Sequence, residues 1–263
     1  MIHWIAASDR RLDPYRRVGD PRWLRQQDLF VAEGRLVVER LLDLGRYDVG
    51  SILVNRAAHD ALLDRLARAE SSVYVCDDPT LASVTGFNFH RGCLALVRRP
   101  APLPPDHLMS GTTLLALEGV GNPDNVGGLF RTAAAFGVDG VLLDSTSGDP
   151  FYRKAVRTSM GAVLRLPFAR LEAWSVGLEA FRSRGFTVAA LTPRPDARQL
   201  SEFAAALPAG ARVLIVAGAE GPGLGDATLA CADARVRIPI DSAIDSLNVV
   251  VAAGIAIERI RSR

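Results

Sequence analysis

Lysine is nearly missing from this 263-residue chain: Lys154 is the single one among 31 cationic side chains, the rest being arginine. A GC-rich coding sequence explains such a bias as readily as a preference for bidentate phosphate contacts, so the bias carries no argument by itself. Cysteine is scarce too. Cys76, Cys93 and Cys231 stand far apart with no CxxC pair, and His3, His59, His90 and His107 are isolated. That spacing excludes the usual zinc arrangements, and no metal is expected. An odd number of thiols suits a reducing compartment, so the chain reads as cytoplasmic. Residues 1–11 hold no long apolar run, and neither a secretory leader nor an anchor is expected there. No other stretch reaches the ~20 apolar residues that span a bilayer, so no membrane partner is expected. A net charge of +2 neither favours nor excludes nucleic acid. Aliphatic residues are abundant: the chain is 49% hydrophobic with only 6% aromatic, enough for a sizeable core.

The sharpest boundary is proline-rich. Pro100, Pro102, Pro104 and Pro105 fall close together, which rules out a helix or central strand and reads as a semi-rigid linker. With the linker at 100–110, the chain divides into a head, 1–99, and a tail, 111–263, both of domain size. The head opens on an irregular arm carrying Arg10, Arg11, Arg16, Arg17, Arg22 and Arg25, opposed only by Asp9, Asp13 and Asp20. Strands are expected after it at 29–32, 49–54, 72–75 and 93–97, and helices at 35–44, 57–69 and 79–84, a small α/β sandwich. In the tail, apolar strands at 113–118, 140–143, 187–191, 213–217 and 235–240 alternate with helices at 126–136, 151–159, 171–184, 200–206, 224–232 and 247–261. This is the pattern of a mostly parallel sheet covered on both faces. Ligands of such sheets bind beyond the carboxyl ends of the strands.

Three clusters sit at such strand ends. The first, Glu118-Gly119-Val120-Gly121-Asn122-Pro123-Asp124-Asn125-Val126-Gly127-Gly128-Leu129-Phe130-Arg131, runs from strand through loop into helix. Asn125 is expected to cap that helix, and Gly127 and Gly128 admit a close neighbour. The second, Ala217-Gly218-Ala219-Glu220-Gly221-Pro222-Gly223-Leu224-Gly225, offers main-chain groups with few side chains in the way. Its spacing is not GxGxxG, and no Walker lysine follows. Glu220 disfavours phosphate and suits a hydroxyl, an amine or an arginine. The third runs from Ile238-Pro239-Ile240 to Ser246-Leu247-Asn248-Val249 and into an almost wholly apolar helix. Ser246 and Asn248 stand where they can cap it or face a ligand, and so apolar a helix must be buried in the core or in a subunit interface. Each cluster alone is equally consistent with a capped helix or a tight turn.

Taken in order and spacing, the three clusters resemble the three motifs of the SpoU (TrmH) family of SPOUT RNA methyltransferases, over the whole tail. The segment between Ile240 and Ser246 carries two aspartates and no glycine, where many relatives have one. The resemblance implies a trefoil-knotted SPOUT domain with a parallel sheet, preceded by a smaller α/β domain like an RNA-binding ribosomal protein. Phe30-Val31-Ala32-Glu33-Gly34 and His90-Arg91-Gly92 are similar to that extension in ribosomal-RNA members. It further implies S-adenosylmethionine as cofactor, held by Gly218, Ile238, Ile240 and Leu247 with Leu191 as a further candidate, a homodimer through the terminal helices, and RNA as substrate, ribosomal RNA before transfer RNA. By the same resemblance Arg131 activates a ribose 2'-hydroxyl.

A guanidinium seldom gives up its proton, so two roles stay open for Arg131: base once the assembled site lowers its proton affinity, or stabiliser of the alkoxide while the proton leaves through phosphate or water. Asn125, Glu220, Ser246 and Asn248 would orient it and the ribose, with Glu220 gripping the guanidinium. Arg153, Lys154, Arg157, Arg165 and Arg170, in a stretch from Phe151 to Arg170 without acids, form a candidate RNA phosphate track or simply a solvated face. Two other readings compete. One is a Rossmann-type enzyme using Gly119, Gly121 and Asp144. The other is a non-catalytic RNA-binding protein with a decayed methyltransferase domain, which the retained site residues argue against.

Overall fold

The computed structural model describes residues 1–85 and 92–262, so His90 and Arg91 of the head motif lie outside the described residues. Contacts divide the chain into two units: Met1–Ala101 with Pro150–Leu164, and Pro102–Asp149 with Arg165–Arg263. The linker-based division assigns 150–164 to the tail; in the structure that segment packs with the head.

The first unit holds strands β1 (Ile2–Trp4), β2 (Leu29–Glu33), β3 (Val49–Asn55), β4 (Ser72–Cys76) and β5 (Cys93–Arg98) in the order β1-β4-β3-β5-β2. β1, β4 and β3 run parallel, and β5 is antiparallel to both β3 and β2. The arm expected to be irregular is ordered. Residues Arg10–Arg17 form a 3-10 helix capped by Asp9, and Leu12 and Tyr15 point into the core. Three of its arginines face acids: Arg11 with Asp9 at 2.7 Å, Arg16 with Asp13 at 3.5 Å and Arg17 with Asp20 at 3.2 Å. Hydrogen bonds from the Arg11 side chain and backbone pull the Asp9 carboxyl down to about 2. The single helix expected at 57–69 is two, Arg56–Ala61 and Leu63–Arg68, the first capped by the Asn55 side chain.

The segment 150–164 joins this unit for two visible reasons. Phe151 stacks on Phe30 with ring centroids 4.6 Å apart. On the helix Arg153–Thr158, Arg153 and Arg157 approach the Glu33 carboxylate at 3.1 and 3.5 Å. Glu33 is only 3% exposed, and a carboxylate so buried requires such partners.

The second unit is built on a seven-stranded sheet of β6 (Thr113–Glu118), β7 (Gly140–Leu143), β8 (Phe168–Arg170), β9 (Phe186–Leu191), β10 (Arg198–Gln199), β11 (Arg212–Gly218) and β12 (Ala234–Arg237), in the order β10-β12-β9-β11-β6-β7-β8. Every pairing is parallel. The apolar runs of β6 and β11 are buried along almost their whole length, as strands covered on both faces must be. β11 enters between β6 and β9, which places Gly218 opposite Glu118. The final helix, Val249–Arg261, packs on the helix Pro123–Ala135 and on β11. A Cβ on Gly128 would stand 2.9 Å from a Val250 methyl, and one on Gly254 would stand 3.2 Å from the Thr132 methyl. The close neighbour that Gly128 admits is therefore this helix. Val249, Ala253, Ala256, Ile257 and Ile260 are buried by the contact, whereas Val251 and Ile255 on the other side are 49% and 40% exposed. The all-round burial expected of this helix is thus not met within one chain. Among the described residues, no helix is long and apolar enough to cross a membrane.

Candidate active site

Because β6, β9, β11 and β12 run in one direction, their carboxyl ends lie along one edge of the sheet. After β6 the helix starts three residues earlier than expected. Its cap is Asn122, whose side chain accepts from the Asp124 N–H at 2.9 Å, with Pro123 in the first turn, where a missing N–H costs nothing. Asn125 therefore does not cap. It lies inside the first turns, 8% exposed, with its amide free to bond across to another element.

After β11 the chain folds back on itself. The Ala219 N–H donates to the Glu118 carbonyl at 2.9 Å, and the Gly223 N–H donates to the Ala219 carbonyl at 3.0 Å. Gly221 and Gly223 hold φ values of +87° and +72°, the left-handed region that glycine enters at little cost. A Cβ on Gly218 would sit 2.5 Å from the Gly223 carbonyl carbon. The glycine density thus closes a tight turn and leaves its main chain bare.

The final helix starts at Val249, not at Leu247, and its cap is Asn248: Oδ1 accepts from the Val250 N–H at 2.9 Å. Ser246 stands outside the cap. The same Asn248 side chain donates through Nδ2 to Glu220 Oε1 at 2.6 Å and to Asn125 Oδ1 at 3.2 Å. One amide thereby ties together all three sequence clusters. Glu220 is engaged by Asn248 and not, as expected, by Arg131. Arg131 is exposed on its helix and forms no ion pair among the described residues.

Beside this chain of amides lies a cavity of about 140 Å³, and all five residues singled out for the cofactor line it: Leu191, Gly218, Ile238, Ile240 and Leu247. Glu220 and Ser246 line it too. The sequence reading missed Thr192, Pro193, Val236 and Ala252 in the wall; being common residues at strand ends or on an apolar helix, they carry no signal of their own. The segment 241–246 beside it is exposed throughout.

Asp144 belongs elsewhere. Its carboxylate accepts from the Ser147 N–H at 2.7 Å and from the Thr146 hydroxyl. Burial pushes this carboxyl up, yet hydrogen bonds from Ser147, Thr146 and the Gly119 N–H outweigh that and hold it below the ordinary range. It ties the loop after β7 to the loop after β6, and it is not the free ribose acceptor that the Rossmann reading needs. The strand order, with β11 inserted between β6 and β9, also differs from that fold's. Of the basic stretch, Arg153, Lys154 and Arg157 lie on the helix that joins the first unit, and Arg165 is exposed at the start of the returning second-unit segment. Arg153 and Arg157 are engaged by Glu33.

Comparison with known proteins agrees in extent with this site. The model of the SpoU rRNA methylase family matches residues 112–258. A tRNA/rRNA methyltransferase of Mycobacterium bovis, itself uncharacterised, is 39% identical over 261 residues, covering 97% of this chain and 90% of its own. An AdoMet-bound rRNA methyltransferase from Sinorhizobium meliloti superposes with a TM-score of 0.82 at 23% identity, over 99% of this chain and 98% of its own. An RNA 2'-O ribose methyltransferase does so at 0.77 with 24% identity, over 99% and 98%. With the second and third clusters lining one cavity, the first joined to them through Asn125 and Asn248, and the family's model matched across all three, this chain belongs to the SpoU rRNA methylase family.

Proposed function

We propose that this protein transfers a methyl group from S-adenosylmethionine to a ribose 2'-hydroxyl of RNA, with ribosomal RNA as substrate. The observation that carries the reading is the meeting of Leu191, the 218–223 turn, Ile238 with Ile240, and Ser246 with Leu247 around one cavity, bordered by Asn125, Asn248 and Glu220. The residues suit the cofactor. Leu191, Ile238, Ile240 and Leu247 offer apolar walls to a purine ring, and Gly218 leaves main-chain donors and acceptors for its edge. Glu220 supplies a carboxylate for a cationic ligand. The cavity, about 140 Å³ and open to solvent on one side, is smaller than the ~300–1,000 Å³ usual for small-molecule sites. The bound cofactor therefore extends beyond it, or its entry displaces the exposed 241–246 segment or the glycine turn.

The cofactor supplies an already activated methyl group. The chain must align the hydroxyl, carry off its proton and stabilise the oxyanion. Asn125 and Asn248 present oriented amides, fixed by the bond between them and by the cap. Arg131 follows Asn125 on the same helix by about 9 Å along its axis. Its exposed guanidinium, without an ion pair among the described residues, is available to an RNA phosphate and to the developing oxyanion. A guanidinium keeps its proton near neutrality, so Arg131 stabilises charge and the proton leaves through water or phosphate.

Three further elements belong to the proposal. The entry of β11 between β6 and β9, with the last helix packing back on β11, supports a trefoil-knotted C-terminus. The exposed Val251 and Ile255 support a homodimer through the final helix. The head, 1–99, and the basic residues Arg153, Lys154, Arg157 and Arg165 are assigned to RNA, with Arg153 and Arg157 acting from their ion pairs.

The test is transfer of labelled methyl from S-adenosylmethionine to purified ribosomal and transfer RNA, followed by mapping of linkages that resist alkali. Label at a 2'-oxygen of ribosomal RNA is expected, and Arg131→Lys should lose about a hundredfold in turnover. Label on a base, or a near-normal Arg131→Lys, would refute the assignment.

A further inference from the structure

In the first unit, β2 and β3 end, and β5 begins, at the same edge of the sheet. There a cavity of about 570 Å³ opens, within the ~300–1,000 Å³ range of ligand pockets. Its wall is closely built. The Gly34 N–H donates to the Cys93 carbonyl and the Asn55 N–H to the Gly92 carbonyl, both at 2.8 Å. Gly92 has φ +65°, and a Cβ there would stand 2.6 Å from Asn55 Oδ1. Any side chain at this position would displace the Asn55 amide.

Two guanidinium groups reach the cavity. Arg35 is exposed at its rim, and Arg157 enters from the helix Arg153–Thr158. Arg157 is fixed by the buried Glu33, which also holds Arg153. One carboxylate between two guanidinium groups leaves a net positive charge. Glu39, the acid in the lining, is tied to Arg65 at 2.9 Å. The apolar part of the wall is Leu36, 39% exposed, and Met160. Met160 has φ +53°, an unfavourable value for a methionine, and Arg40 donates to its carbonyl. One guanidinium held in place and one free to adjust at the rim, beside a partly exposed apolar wall, fit a ligand with a phosphate and a flat ring.

We propose that this cavity takes one unpaired nucleotide of the RNA substrate, its phosphate on Arg35 and Arg157 and its base against Leu36 and Met160. The proposal rests on the RNA-methyltransferase reading but concerns a site separate from the methyl-transfer cavity. An unpaired nucleotide is favoured over a duplex because only a base turned out of its stack can enter a cavity.

The test uses the full chain and a labelled single strand of about 12 nucleotides of mixed adenosine and uridine. Anisotropy measures its binding to the parent, to Arg35→Glu, and to Ala57→Trp, which fills the cavity from an exposed lining position. Calorimetry with S-adenosylmethionine is run on all three. Each substitution should weaken strand binding about tenfold, the loss of one charge-assisted contact or of the space for a base, with cofactor binding unchanged. Strand binding within twofold of the parent in both variants overturns the proposal. So does a free mononucleotide that binds the parent without competing with the strand. A parent that binds cofactor but not the strand overturns it too, whereas a parent that fails to bind cofactor counts against the methyltransferase reading itself.

Discussion

Replacing Asn248 separates two roles that the native side chain combines. In Asn248→Ala the helix loses its cap on the Val250 N–H, worth about 1 kcal/mol. Asn125, buried at 8% exposure, loses the donor to its Oδ1, another ~1 kcal/mol. The bond to Glu220 is exposed, and an exposed contact adds little. A total near 2 kcal/mol lowers the melting temperature by about 4–8 °C for a chain of this size. In Asn248→Asp the capping oxygen remains, and the Asn125 amide can turn to donate to it. The new carboxylate, however, faces Glu220 where a 2.6 Å hydrogen bond stood. Two like charges so close cost ~1 kcal/mol or more even in a watery setting. That repulsion raises the carboxyl pKa values of the folded form. The penalty is therefore absent at acidic pH, where one carboxyl is protonated, and grows as pH rises through the raised value. Melting curves at acidic and slightly alkaline pH should show Asn248→Asp near the parent in acid and below it in base. Asn248→Ala should stay low at both. Calorimetry should show cofactor affinity reduced in both variants. Equal melting of parent and Asn248→Ala, or an Asn248→Asp deficit independent of pH, would refute the proposed bonding.

Gly218→Ala should fold with a loss of about 1–3 kcal/mol and lose cofactor binding by calorimetry, because its Cβ meets main-chain atoms of the 223–224 turn within 2.7 Å; retained affinity would disprove the tight turn. Burial raises the Asp139 carboxyl, but the Thr113 and Thr112 N–H groups, the Thr112 hydroxyl and the charge of Arg261 outweigh it and lower the pKa. Its contribution to stability is then present above the ordinary 3.8 and lost as pH falls through the lower folded value. Parent and Asp139→Asn should therefore differ in melting near neutrality and converge in strong acid; a constant difference would contradict this. If the cofactor displaces the 241–246 segment and then packs under it, cleavage after addition of an aspartate-directed protease at Asp241 and Asp245 should slow when S-adenosylmethionine is present. An unchanged rate would locate the movement in the glycine turn instead.

The parallel sheet was readable in the sequence because its strands are short apolar runs between amphipathic helices, and a period-based reading finds such runs. Four of the five cavity residues were readable only through the spacing of three motifs, and Leu191 only as a further strand end beside them, since Ile238, Ile240, Leu191 and Leu247 look like core when taken singly. Helix starts were misread where two candidate caps compete: Asn122 and Asn125 are both good caps, and Pro123 settled the matter in favour of Asn122. Ser246 and Asn248 posed the same choice, and the structure uses Asn248. The path of 150–164 was not readable at all. It depends on Phe151 meeting Phe30 and on Arg153 and Arg157 meeting a carboxylate buried in a strand, pairings between residues far apart in sequence. Glu33 was the available hint, an acid at the end of an otherwise apolar strand.

The residues with the strongest chemical signature in this chain also hold its turns. Gly218 is required by the close return of Gly223 and also bares the cavity wall. Asn248 starts the last helix and also joins Asn125 to Glu220. Loss of activity on substituting any of them is therefore weak evidence for a role in methyl transfer, because each loss is also expected from a disturbed turn. Arg131 differs, since it is exposed and forms no ion pair among the described residues. Folding does not depend on its charge, so Arg131→Lys should leave melting and cofactor affinity unaltered. A fall in turnover at saturating RNA under those conditions reports on the reaction and not on a disturbed fold, and for this reason Arg131→Lys tests the assignment of chemistry where substitutions at Asn248 and Gly218 cannot.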